Sequence, residues 1–133
     1  MNYKKFEELP CWIKARELCQ AIYKLINHPA FKKDFSLRNQ IWAASGSAMD
    51  NIAEGFERGG NKEFIQFLFI SKASGSEYKS QLYRALDKGF INDFEIKELY
   101  TLTDDITRMI QGLVNYLRRS DIQGKKFKYP IKK

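Results

Sequence analysis

Six small residues in succession, Ala43-Ala44-Ser45-Gly46-Ser47-Ala48, sit inside a stretch whose apolar residues recur with a helical period. Gly46 costs about 1 kcal/mol of helix propensity relative to alanine, so local preference does not select it. Close approach of a neighbouring helix does. The inner line of this slim helix is Leu37, Ile41, Ala44, Ala48, Ile52 and Gly55, with Ser36 as its N-cap. Gly59-Gly60 ends it, supplying the left-handed backbone that a helix C-terminus requires.

Three more helices follow from the same reasoning. Pro10 opens the first, where a missing N–H costs nothing, and Trp12, Ala15, Cys19, Ile22 and Ile26 line one face. His28-Pro29 closes it, and Ala30 to Phe35 is predicted to be a connecting loop. Asn61 is the expected cap of the third helix, lined by Phe64, Leu68, Ser71, Gly75, Tyr78, Leu82 and Ala85, with Gly89 as its stop. Asn92 and Glu95 form a variant capping box for the fourth. Its seam is Leu99, Thr103, Ile106, Ile110, Leu113 and Leu117, at alternating spacings of four and three. That spacing suits helices crossing at about 20°, the geometry of an antiparallel up-down four-helix bundle. The expected division is an all-α bundle over residues 1–120 and a basic C-terminal tail over 121–133.

Two faces are wider than one core demands. The run from Phe64 to Ile70 is apolar almost all round its helix, and Leu102, Met109 and Tyr116 form a second stripe on the fourth. A helix apolar on every side is normally covered on every side. A homo-oligomer is therefore expected, with Phe64, Phe67, Phe69, Leu102, Met109 and Tyr116 as contacts between copies.

The search for chemistry is mostly negative. The single histidine, His28, excludes a bundle di-iron site, which needs two, and neither cysteine has the CxxC partner of a zinc site. Cys11 and Cys19 stand ~12 Å apart along one helix, too far to bridge within it. Glu54 and Glu57 could begin a magnesium site, but the facing helix offers Ser80 after Glu77 and Gln66 after Glu63, so the second half is absent. Glu54 and Arg58 are instead expected to pair one turn apart. No phosphate loop is present, since Gly59-Gly60 lacks a following Gly-Lys-Ser/Thr. The expectation is a protein that is not an enzyme and holds no metal or cofactor. Asn51, Glu54, Ser71, Ser74 and Glu77 fall near the inner faces of the central helices. Unpaired, each would cost ~1–3 kcal/mol, so a hydrogen-bond network fixing helix register is expected.

Charge is concentrated at one end. Residues 118–133 hold seven basic side chains against Asp121, and the rest of the chain holds sixteen basic and fifteen acidic ones. Arg118, Arg119, Lys125, Lys126, Lys128, Lys132 and Lys133 are the candidates for contacting nucleic-acid phosphates. Phe127, Tyr129 and Ile131 alternate with the tail lysines. Three readings of that pattern stay open: stacking on bases, an arm laid on a neighbouring copy, or a solvated tail. With no apolar run near the ~18 residues of a membrane span and no secretory signal at the start, a cytoplasmic setting without membrane contact is expected.

These residues together resemble a known family. The anchors are Leu9-Pro10-Cys11-Trp12-Ile13-Lys14-Ala15, Asn51-Ile52-Ala53-Glu54-Gly55-Phe56-Glu57-Arg58, and Phe67-Leu68-Phe69-Ile70-Ser71-Lys72-Ala73-Ser74 with Glu77 and Gln81-Leu82. They are similar to the four-helix-bundle proteins encoded within intervening sequences of bacterial 23S ribosomal RNA genes. The accessory variability proteins of diversity-generating retroelements are similar too. The resemblance implies a ring, typically a homopentamer, associated with RNA or DNA and in the retroelement branch with a reverse transcriptase. A protein-interaction scaffold without direct nucleic-acid binding is the alternative. The "ribosomal" label attached to such proteins reflects gene location, and the resemblance implies no catalytic residues. Two positions depart from the pattern: Trp42-Ala43 stand where two arginines are usual, and Met49 replaces a proline. Losing an arginine pair removes phosphate contacts from the body and shifts the electrostatic weight to the tail.

Overall fold

A computed structural model describes residues 3–122, with side chains as far as residue 120. Its helices are α1 (Pro10–Ile26), α2 (Phe35–Glu57), α3 (Asn61–Asp87) and α4 (Asp93–Ile122), with 3-10 turns at Phe6–Glu8 and Pro29–Lys33. Among the described residues there is no strand. Cross-helix bonds set the directions. The Cys19 thiol donates to the Ser45 carbonyl at 3.3 Å and Arg38 Nε to the Ile26 carbonyl at 2.9 Å, so α1 and α2 run antiparallel. Ser71 Oγ donates to the Ala48 carbonyl at 2.6 Å, and Arg84 donates to Gln40 at 3.0 Å, which reverses α3 on α2. Lys72 donates to Gln111 at 2.9 Å and Lys79 pairs with Asp104 at 2.9 Å, which reverses α4 on α3. The chain is an antiparallel four-helix bundle.

Every residue of the four predicted inner lines is buried. Burial holds both thiols protonated: Cys11 is pushed up to about 12, and Cys19 to about 11 with the Ser45 contact opposing the rise. Desolvation likewise raises the Tyr78 phenol, and the Thr103 hydroxyl pulls it partly back.

The close approach is real at Ser45 and Ala48, whose carbonyls side chains of α1 and α3 reach, and at Gly55, but not at Gly46. A Cβ placed at Gly55 would lie 2.5 Å from Phe67 Cβ and 3.0 Å from Phe64 Cδ1. At Gly46 a Cβ would meet nothing within 4 Å, so that glycine opens onto solvent and not onto a neighbouring helix. The small-residue run is split by its helical period: Ala44, Ser45 and Ala48 face inward, while Ala43 is exposed.

Three expected boundaries shift, one for a local reason and two because of distant partners. The N-cap of α2 is Asp34, whose side chain accepts from Leu37 N at 3.0 Å; Ser36 already lies in the helix and accepts from Gln40 at 3.2 Å. Asp34 also meets Lys88 at 3.2 Å. Gly60, not Asn61, caps α3, because Asn61 turns inward and donates to the Leu117 carbonyl at 3.1 Å. The expected loop from Ala30 to Phe35 contains a 3-10 turn that drives Phe31 fully into the core against Phe90. The Asn92–Glu95 box forms reciprocally, at 2.8 and 2.9 Å. Gly59 and Gly89 take the positive φ of helix ends.

Candidate nucleic-acid interface

The Asn61–Leu117 bond seats the end of α4 beside the start of α3. Arg118 and Arg119 follow at once, both exposed, on the helix that continues toward the tail. Phe69, two turns into α3, is 37% exposed and faces the same seam. The Arg118 guanidinium lies 5.4 Å from its ring centroid and the Lys72 ammonium 5.7 Å. Lys72 is held by Gln111, which in turn donates to Asn115 at 3.0 Å. Among the described residues, Arg118, Arg119 and Lys72 enter no ion pair. Two cations thus lie against a partly exposed ring, with no acid paired to either among the described residues, which gives this end of the bundle a positive local charge.

A polar cluster lies on the α2–α3 side. Asn51 Nδ2 donates to the Ser47 carbonyl at 2.8 Å and to Ser47 Oγ at 3.0 Å, and Ser47 and Ser74 share a hydroxyl–hydroxyl bond of 2.9 Å. Glu54 and Glu77, grouped with these residues from the sequence, are both exposed and lie outside the cluster. Glu54 instead accepts from Arg58 at 2.9 Å, the expected one-turn pair, and the Arg58 guanidinium covers Phe67 at 4.9 Å. Gly55 completes the group by letting α3 approach.

The residues proposed to touch neighbouring copies separate by depth. Phe64 is 1% exposed and belongs to the chain's own core, where it meets Phe56 edge-on, so it is not available to a neighbour. Phe67 is half-buried over Gly55. Leu102 and Tyr116 pack on the core, and Phe69 and Met109 stand exposed. Lys125, Lys126, Lys128, Lys132 and Lys133 lie outside the described residues. Sequence reasoning missed Lys72, which is marked only by the convergence of Phe69 and Gln111 on it from two helices.

No group of three or more metal-ligating side chains gathers among the described residues, and none of their helices is long and apolar enough to cross a membrane. No curated protein matches the sequence. The chain is similar to a crystal structure of a protein of unknown function from the S23 ribosomal protein family of Bacteroides thetaiotaomicron. The TM-score is 0.71 at 20% identity, over 78% of this chain and 97% of that one. At that identity the likeness speaks for the fold alone. The family profile described as 23S rRNA-intervening sequence protein matches residues 7–112. A match over most of the chain, together with the bundle, places this protein in the 23S rRNA-intervening sequence protein family.

Proposed function

We propose that this protein is a non-enzymatic, self-assembling bundle that binds structured RNA or DNA through the α3–α4 end and the tail beyond it. The supporting observation is Phe69, contacted by Arg118 and Lys72, at the end of the bundle from which the most basic stretch of the chain continues. Arg118, Arg119 and Lys72 supply phosphate contacts from the body, and the five tail lysines extend them. Assembly as a ring of identical copies, cytoplasmic and without membrane contact, belongs to the same reading. Fluorescence anisotropy with a structured RNA tests it. Arg118→Gln is expected to weaken binding across sequences and reduce the salt slope by ~1. An unaltered affinity and slope would reject the α3–α4 site.

A scaffold that docks another protein is the second reading, favoured by the exposed Phe69, Ile70 and Met109. It predicts that Arg118→Gln leaves a weak, nonspecific RNA affinity unchanged.

A further inference from the structure

A second concave surface lies on the opposite side of the bundle, between α1 and α2. It is an open groove of about 540 Å³, lined by Arg16, Cys19, Gln20, Tyr23 and Lys24 from α1 and by Trp42 and Met49 from α2. The Tyr23 and Trp42 rings meet at 5.9 Å, tilted by 55°, and remain 58% and 43% exposed. The groove continues past Met49 over Gly46, where the missing side chain leaves the floor clear. The α3–α4 site uses none of these residues.

Charge narrows what fits. Arg16 and Lys24 enter no ion pair among the described residues, whereas neighbouring Lys14 is paired with Glu17 at 3.4 Å. Arg16 leans over the Trp12 ring at 5.9 Å, which fixes its direction without neutralising it. The acid of the lining, Asp50, lies in the far half beyond Met49. Along α1, Arg16 and Lys24 stand ~12 Å apart, with the open rings between them. A neutral apolar peptide would use the rings and leave both cations idle. A duplex would meet the cations but hide its base faces. Unpaired nucleotides offer a flat ring and an anion in alternation, which is what this surface matches.

We propose that the α1–α2 groove binds single-stranded RNA or DNA, with an unpaired base stacked on Trp42 and Arg16 and Lys24 on the flanking phosphates. It rests on the nucleic-acid reading above but is a separate site with a separate readout. The chain has two tryptophans, and Trp12 is buried, so exposed Trp42 reports occupancy through its fluorescence.

The 133-residue chain is titrated with a short oligo(U), a duplex of equal length, and heparin. Oligo(U) is expected to quench Trp42 saturably, and heparin is not. Trp42→Ala, at an exposed position, is expected to weaken oligo(U) binding by ~5- to 150-fold, the equivalent of one lost base stack, and to leave duplex binding unchanged. Trp42→Phe should restore most of the loss. If duplex binds but oligo(U) affinity ignores Trp42→Ala, the groove site is wrong and the α3–α4 site stands. If no nucleic acid binds at all, both fall. If Trp42 emission changes on concentrating the protein alone and oligo(U) does not compete, the groove is a contact between copies and the proposal is overturned.

Discussion

Replacing Gly55 with alanine should destabilise the protein, although alanine is the better helix former. Propensity favours the substitution by about 1 kcal/mol. Against it, the new methyl would sit 2.5 Å from Phe67 Cβ and 3.3 Å from Phe67 Cγ, where carbon atoms ordinarily stop at about 3.5–4.0 Å. Phe67 Cβ is fixed to the α3 backbone and cannot rotate aside, so α3 itself must move by roughly 1 Å. That movement strains the neighbouring Ser71–Ala48 bond and the Phe56–Phe64 contact. Overpacking of this kind costs ~1–3 kcal/mol, and a rigid obstacle puts this case in the upper half. The net expectation is a loss of about 1–2 kcal/mol. Gly46→Ala on the same helix is the control: with nothing within 4 Å of its Cβ, it should gain up to ~1 kcal/mol. Urea denaturation followed by circular dichroism measures both. If Gly55→Ala is as stable as the parent, or Gly46→Ala loses as much, the packing of α2 on α3 is wrong.

The remaining expectations concern local contacts. Leu37 N, followed by Lys88, holds the Asp34 carboxyl below its usual range, so its stabilisation is present above the ordinary aspartate pKa of about 3.9 and is lost as pH falls through the lowered value. A pH series of melting temperatures should therefore be flatter for Asp34→Asn on the acid side, and an identical series would contradict the cap. Ser71→Ala should cost ~1 kcal/mol in the same urea assay, because it removes a buried hydrogen bond from the Ser71 hydroxyl to the Ala48 carbonyl. Both thiols should resist Ellman's reagent at pH 8 until the chain is denatured, since Cys11 is 2% and Cys19 8% exposed; immediate labelling would refute that packing.

The bundle was legible in the sequence because each inner line repeats at the spacing of a helix face. Burial simply follows that period, so all four lines came out right. Local motifs with their partners three residues away were legible too, as with Asn92 and Glu95. Most of what failed depended on distant partners, although the α2 N-cap did not: Asp34 displaces Ser36 there with Leu37 as its partner only three residues on. Asn61 has the right chemistry for an N-cap, but a carbonyl 56 residues onward competes for its amide and wins. Gly46 and Gly55 carry the same propensity cost, and only the placement of Phe67 distinguishes them. Glu54 and Glu77 lie one helical position off the buried line, enough to turn a carboxylate into solvent. At the candidate site, Arg118 and Arg119 could be picked out by charge density alone. Lys72 could not, because its role comes from Phe69 and Gln111 converging across two helices.

Salt dependence of binding to a structured RNA tests the proposed role most directly, by anisotropy over a series of salt concentrations. The comparison sets the 133-residue chain against a variant with Lys125, Lys126, Lys128, Lys132 and Lys133 changed to glutamine, which spares every described helix. If those lysines contact phosphates, the log–log slope should become shallower by as much as ~4.5, and Phe69→Ala should weaken both proteins alike. Equal slopes for the two proteins would contradict a nucleic-acid-binding tail.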